Sequence, residues 1–426
     1  MAEIVVIGAG VSGLAAAHQA RLAGREVKVF EAGDRWGGLL DHFMVEGFRF
    51  DSGVHFAFSS NEAFRAIIEQ TDYLIHKPEP YNYEQGCWLK HPVQNNLYPL
   101  PVSDKVEAIK SFVERPAQTA AHDHYRQWLD QQFGEVIAAR YPARYTEKYW
   151  TVKAENLSTE WVGNRLYRPS LDEVLFGALS DQTPQTYYLQ EMLYPRSGGF
   201  RAFLDPLIPK LDLQLNSRVV KVDPDKRYVE LSNGNREYYQ LLVSSAPLPE
   251  LIAMLKPVPV SVGEAAASLW ATSAALVSLG FNVPEAGDHL WFYIYDHDIY
   301  PSRVHAPYRK APENAPPGHS SLQFEIYHSR HRALPKSPEG LVEDVIAAAE
   351  AMKLAPRSAV KVADYRVLPY ANVVFDLGMT ARRDHALEYV RKCGIFPVGR
   401  FGLWDYLWSD QSYLSGSRIT EQFDML

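Results

Sequence analysis

Three glycines, Gly8, Gly10 and Gly13, are spaced G-x-G-x-x-G directly after the apolar run Ile4-Val5-Val6-Ile7 and open an Ala-rich stretch. Each has its own physical role, in that Gly8 permits a tight turn, Gly10 lets backbone approach a pyrophosphate, and Gly13 allows a helix to pack closely on a strand. The phosphates then rest on a helix N-terminus, where unpaired N–H groups and the helix dipole favour anions. A second run, Val27-Lys28-Val29-Phe30, ends in Glu31, at the distance where an acid usually holds a ribose hydroxyl. Strand, turn, helix, strand and acid in that order predict a dinucleotide-binding βαβ unit. A second grouping is aromatic: Tyr141 and Tyr145 stand i, i+4, so on a helix they share one face and can present stacked rings. No Ser-His-Asp set or carboxylate pair stands at a spacing suited to nucleophilic or acid–base work.

The chain that positions these groups has 426 residues and 46% hydrophobic composition, enough for a large core and two or three domains. Its two cysteines, Cys87 and Cys393, are too few for a disulfide framework or a cysteine metal site, and no metal is expected. A net charge of −8 argues against general nucleic-acid affinity, so an anionic ligand must meet a local cluster of Arg. The N-terminal apolar run lacks a basic flank and already serves as the first strand. The weakly polar stretch from Ala265 to Phe281 is rich in Ala, Ser and Thr. Neither reads as a signal peptide or a membrane span, and the expectation is a cytoplasmic protein.

Along the chain, amphipathic stretches near Asp104–Glu114 and His122–Arg140, with a third helix near Leu171–Leu179, predict a helical insertion. Short strands follow at Leu211–Asn216, Val219–Val222, Tyr228–Leu231 and Leu241–Ser245, with Asn233-Gly234 as a hairpin turn. Further strands are predicted at Ala274–Phe281, Leu290–Tyr295 and Ser321–Tyr327, and the Pro-rich segment Ala311 to Gly318 reads as an exposed loop. The fold class is α/β: a discontinuous Rossmann-like domain (1–75, 195–247 and 365–426), a helical insertion (102–194) and an antiparallel-sheet substrate domain (76–101 and 248–364).

The segment Glu31-Ala-Gly-Asp-Arg35-Trp36-Gly37-Gly38 extends the fingerprint in a way that resembles flavoproteins binding FAD rather than NAD. In those proteins the glycine pair admits backbone contact with the cofactor and the Arg lies near its phosphates. Asp51-Ser-Gly53-Val-His55 and the late pair Gly399-Arg400 continue the likeness. Five segments narrow it: Gly53-Val-His55-Phe, Tyr145-Thr-Glu-Lys-Tyr-Trp150, the run from Leu157 through Arg165 to Arg168, Pro301-Ser-Arg303, and Gly399-Arg400-Phe-Gly-Leu-Trp-Asp-Tyr406. In this order they resemble UDP-galactopyranose mutase and its relatives, over most of the chain to about Arg418.

That resemblance implies a redox-neutral interconversion of a nucleotide-diphosphate sugar between pyranose and furanose forms, with N5 of reduced FAD as nucleophile at the anomeric carbon and NAD(P)H or another reductant as activator. It implies a nucleotide-diphosphate sugar and a homodimer as partners. The cofactor-binding set is Gly8, Gly10, Gly13, Glu31, Arg35, Gly37, Gly38, Gly399 and Arg400. Tyr141, Tyr145 and Trp150 match positions that hold the base and its neighbourhood, with Arg165 beside the clamp. Arg168 and Arg303 match arginines that clamp the diphosphate, a role suited to a planar, permanently charged fork. Tyr406 and Tyr370 match tyrosines on the diphosphate, and His55 a histidine beside the flavin. The chain departs from the pattern at Phe58, where a second His is common, and after Tyr406, where Leu407, Trp408 and Ser409 displace Asp410; both leave the sugar open. Two alternatives are carried. An oxidase or desaturase of the amine oxidase or protoporphyrinogen oxidase type predicts an apolar pocket without an Arg pair; a flavin-binding scaffold predicts a flavin inert to nucleotide sugars.

Overall fold

The computed structural model describes residues 2–117, 121–184 and 191–425. The segments 118–120 and 185–190, inside the predicted helical insertion, lie outside the described residues.

The run Ile4-Val5-Val6-Ile7 is buried on both faces, as the strand of a covered parallel sheet must be. It lies at the centre of the first of two seven-stranded sheets. The parallel strands stand in the order Asp212–Gln214, Val27–Phe30, Ala2–Ile7, the second half of Arg236–Ser244, and Ile395–Pro397. Val6 pairs with Val29 on one side and Val243 on the other, and Val243 in turn with Phe396. The first half of Arg236–Ser244 instead continues an antiparallel hairpin through Tyr228–Leu231 and Val219–Asp223. Helix Val11–Leu22 covers the sheet and meets the late helix Ser409–Ser417, whose Gly416 leaves no room for a side chain: a Cβ there would lie 2.0 Å from the Ser12 carbonyl oxygen.

A second seven-stranded sheet runs in the order Val360–Val373, Ala271–Phe281, Ser320–His328, Arg303–His305, Trp291–Ile294, Tyr81–Glu84, Cys87–Lys90. It is antiparallel except between Trp291–Ile294 and Tyr81–Glu84. The strand Val360–Val373 passes unbroken through position 365.

The helices Val102–Val113, Tyr125–Phe133, Glu135–Ala138, Arg144–Tyr149 and Leu171–Leu179 enclose Phe112, Leu129, Phe133 and Val174. The single amphipathic stretch expected over His122–Arg140 is broken at Gly134, whose φ of +76° and contact with the Ser111 carbonyl admit no side chain. The chain then widens into a π-turn over Ala139–Ala143, around Pro142, which has no N–H for a regular ladder. The Pro-rich segment also differs from expectation. Ala311 and Asn314 are buried, because the Asn314 amide donates to the Tyr194 hydroxyl (3.2 Å) and the Pro307 carbonyl (3.0 Å).

Candidate functional site

One cavity of about 640 Å³ runs from the glycine fingerprint, between the two sheets, into the helical insertion. Its first arm is lined by Gly8, Gly10, Glu31, Gly37, Gly38 and Gly399. Helix Val11–Leu22 has no side-chain cap, so its first-turn N–H groups point into this arm unclaimed by any cap. A Cβ on Gly10 would find no neighbour nearer than 4.0 Å, whereas one on Gly13 would lie 2.0 Å from the Gly8 carbonyl oxygen. Gly10 is therefore open toward the cavity, and Gly13 is a packing glycine behind it. The Glu31 carboxylate is oriented by the N–H groups of Ala9 and Gly33, both at 2.8 Å. A dinucleotide fits this cradle: its pyrophosphate takes the open helix end and its ribose the acid. Arg35 stands apart, exposed and held bidentately by Asp41 at 2.6 and 2.9 Å.

The middle of the cavity joins His55 to the second seven-stranded sheet. Arg303 and Glu325 are register partners on adjacent strands. The Arg303 Nε donates to Glu325 Oε2 at 2.8 Å and its Nη2 to the Tyr327 hydroxyl at 3.1 Å. Tyr327 donates to the same carboxylate at 2.7 Å, and the other oxygen accepts the Val54 N–H at 3.0 Å. Burial opposes the Arg303 charge, but Glu325 outweighs it and holds the guanidinium firmly protonated. Arg303 is thus already neutralised by a buried carboxylate. Burial pushes His55 down to about 4, against the pull of Asp51, so its ring is neutral at pH 7.

In the far arm, Tyr406 lies beside two cations. The Arg165 guanidinium stands 4.8 Å from its ring centroid and that of Arg400 stands 5.0 Å away. Arg165 donates to the carbonyls of Trp161 and Tyr406, both at 2.7 Å; Arg400 donates to the Leu407 carbonyl at 2.9 and 2.6 Å. Among the described residues neither has a carboxylate partner, so both charges remain uncompensated beside the cavity. Tyr141, Tyr145 and Trp150 line the same arm. The i, i+4 pair shares a face: both rings pack on Tyr295, at 5.2 and 6.0 Å. Tyr145 stacks on Tyr149 at 5.4 Å.

Two of the predicted residues lie off this wall. Arg168 is exposed, donates to the Gly163 carbonyl at 2.9 Å and lies 5.4 Å over the Trp128 ring. Tyr370 packs on Phe401 at 5.5 Å and hydrogen-bonds Glu250, on the opposite side of its strand from the cavity-lining Ala371. Residues that reading by sequence missed are Glu325, Tyr327 and Tyr149. A lone acid in the apolar run Leu322-Gln-Phe-Glu-Ile326 was the available signal for Glu325. The two departures from the mutase pattern meet in space: Phe58 and Trp408 pack edge to face at 5.1 Å on the cavity wall, and Ser59 donates to Asp410 at 2.7 Å. Among the described residues no cluster of His, Cys, Asp or Glu could hold a metal, and no helix is long and apolar enough to cross a membrane.

A family model described as flavin containing amine oxidoreductase matches residues 11–400. The fold is similar to that of reduced UDP-galactopyranose mutase, with a TM-score of 0.92 and 24% identity over 99% of this chain and 93% of that one. It is also similar to wild-type putrescine oxidase bound to putrescine, with a TM-score of 0.69 and 17% identity over 100% and 99% of the two chains. Among curated proteins, the all-trans-retinol 13,14-reductase of Danio rerio is 40% identical over 70 residues, which are 16% of this chain and only 12% of that protein.

Proposed function

Because the chain belongs to the flavin containing amine oxidoreductase family, we propose that it is an FAD-dependent enzyme that interconverts the pyranose and furanose forms of a nucleotide-diphosphate sugar without net redox change. The observation that carries this reading is the pair of uncompensated guanidinium groups, Arg165 and Arg400, both against the Tyr406 ring. A neutral apolar substrate offers nothing to two such charges; a diphosphate does.

FAD held by the Gly8–Gly13 turn, Glu31, Gly37, Gly38 and Gly399 would, when reduced, supply the nucleophile for the anomeric carbon. The protein's own part is positioning and electrostatics. Arg400, expected from the sequence to serve the cofactor, takes a different part in this reading: with Arg165 it stabilises the diphosphate as negative charge grows on it in leaving, as preorganised cations do. The Tyr406 hydroxyl, backed by that of Tyr149, presents a donor to the same group. Tyr141, Tyr145 and Trp150 provide the apolar wall for the base. Glu325 fixes Arg303 and, through Val54, the loop carrying His55, so the sugar end is bounded by an ordered, electrically neutral pair. His55, neutral at pH 7, adds no charge to that end.

A second reading, an FAD-dependent oxidase or desaturase, draws on the family's redox members and on the apolar Phe58–Trp408 corner of the cavity. The test is to incubate dithionite-reduced and oxidised holoenzyme, without oxygen, with UDP-, GDP-, TDP- and CDP-sugars and separate ring forms by chromatography. Interconversion by the reduced form alone is expected. No interconversion by either form, with FAD present, overturns the proposal in favour of the redox reading.

A further inference from the structure

Lys148 lies in the Tyr145–Trp150 segment yet takes no part in the cavity wall, and its side chain is almost entirely buried (2% exposed). Its ammonium group forms no ion pair with a carboxylate among the described residues. Instead all three of its N–H donors are used on backbone carbonyls: Ile294 at 2.9 Å, Asp296 at 2.8 Å and Ile299 at 2.7 Å. A buried charge without a counter-ion is costly, so an arrangement that uses it must hold something in place.

What it holds is the loop 295–302, between the strands Trp291–Ile294 and Arg303–His305. One end of that loop is Tyr295, against which both Tyr141 and Tyr145 pack. The other end delivers Arg303 to Glu325. Lys148 itself stands on the helix Arg144–Tyr149, three residues after Tyr145. A single ammonium group therefore ties the helix bearing the aromatic wall to the loop that backs that wall and leads into the buried ion pair.

We propose that Lys148 is a positioning residue, whose three carbonyl bonds register the helical insertion against the substrate sheet and so set the width of the aromatic arm where a nucleotide base would bind. The loop part of this inference stands on geometry alone; the consequence for a ligand rests on the nucleotide-sugar reading. The charged and titratable groups around the ammonium are Asp296, His297 and Asp298 on the loop, Arg144 and Glu147 on its own helix, and Arg332, which donates to the Glu147 carbonyl at 2.6 Å. Burial, opposed by Asp296 and reinforced by Arg332, pushes Lys148 down to about 7. A neutral amine has two N–H donors and a lone pair for three carbonyls, so the pin weakens as pH rises through that value.

The test compares wild-type and Lys148→Met holoenzyme by hydrogen exchange and by equilibrium binding of UDP-galactose, which has no group titrating near pH 7. Exchange across 295–302 should quicken at least tenfold in the variant while FAD content is retained, and wild-type affinity should weaken several-fold between pH 6 and pH 8.5. Unchanged protection of 295–302 overturns the pin, as does protection lowered equally throughout a variant that keeps its FAD, which would mark a purely structural lysine. If the Met variant does not fold, Lys148→Gln holoenzyme, with two N–H donors for the three carbonyls, takes its place, and unchanged protection of 295–302 in it overturns the proposal. A wild type that binds none of the UDP-, GDP-, TDP- and CDP-sugars overturns the nucleotide-sugar reading and leaves the pin to stand or fall on exchange.

Discussion

The hydroxyls of Tyr149 and Tyr406 lie 2.9 Å apart although 257 residues separate them in the chain. Tyr149 also donates to Asn372 Oδ1 at 3.1 Å, and its ring lies 4.6 Å from that of Tyr327. The helical insertion, the substrate sheet and the C-terminal cofactor segment thus meet in one hydroxyl cluster at the cavity. Burial raises the Tyr149 phenol well above its ordinary range, with the Tyr406 hydroxyl reinforcing it, so it keeps the proton it donates to Asn372 and its oxygen orients the Tyr406 hydroxyl. Tyr149→Phe should keep the fold and the stacking on Tyr145 but weaken binding of a diphosphate ligand by about 0.5–1.5 kcal/mol, the net worth of one hydrogen bond. Calorimetric titration of the holoenzyme checks it.

Gly10 and Gly13 should respond differently to the same substitution. Gly10→Val places its side chain in open cavity, so the protein should fold with a near-normal melting temperature yet purify without yellow colour. Gly13→Val drives into the Gly8 carbonyl and should lose both cofactor and stability. Flavin absorbance and thermal unfolding of the two variants separate the roles, and a yellow Gly10→Val protein would remove the cofactor assignment.

Breaking the Arg303–Glu325 pair from one side should be costly. Glu325→Ala leaves a buried guanidinium without its counter-ion and should lower stability by about 3–5 kcal/mol in urea unfolding. Replacing both members, Arg303→Met with Glu325→Leu, should recover at least half of that loss, because no buried charge remains unpaired.

Stability should fall on mild acidification. Burial pushes His91 down to about 3, and burial likewise pushes His42, His55 and His289 down to about 4. Between pH 6.5 and these values the unfolded chain binds protons that the native protein does not, so unfolding free energy rises with pH and is lost as pH drops through this window. His91→Gln should flatten the slope of melting temperature against pH between 6.5 and 4, removing on the order of 3 kcal/mol of that pH dependence.

The glycine turn and its acid were legible because their determinants are local: Gly8, Gly10, Gly13 and Glu31 are fixed by the path of one βαβ unit. The parallel order around Ala2–Ile7 follows from the same unit. The substrate side was only partly legible. Arg303 was found by its motif, but its neutralisation by Glu325 depends on the register between two antiparallel strands, which no local spacing reveals. Lys148 and Tyr149 lay inside a motif already singled out, yet their roles depend on the loop after Ile294 and on Tyr406. Arg168 and Tyr370 show the converse: the right residue type in a matched segment, with the backbone turning the side chain to solvent in one case and toward Phe401 and Glu250 in the other.

The claim on which the account rests is that Arg165 and Arg400 form a diphosphate site about Tyr406. Its most direct test is titration of wild-type and Arg165→Met holoenzyme with UDP-, GDP-, TDP- and CDP-sugars, following the flavin spectrum. The account predicts saturable binding by the wild type and a Kd raised by about 30-fold or more in the variant, the cost of removing a cation from a desolvated phosphate. Equal affinity in the two proteins, with FAD content matched, would contradict it.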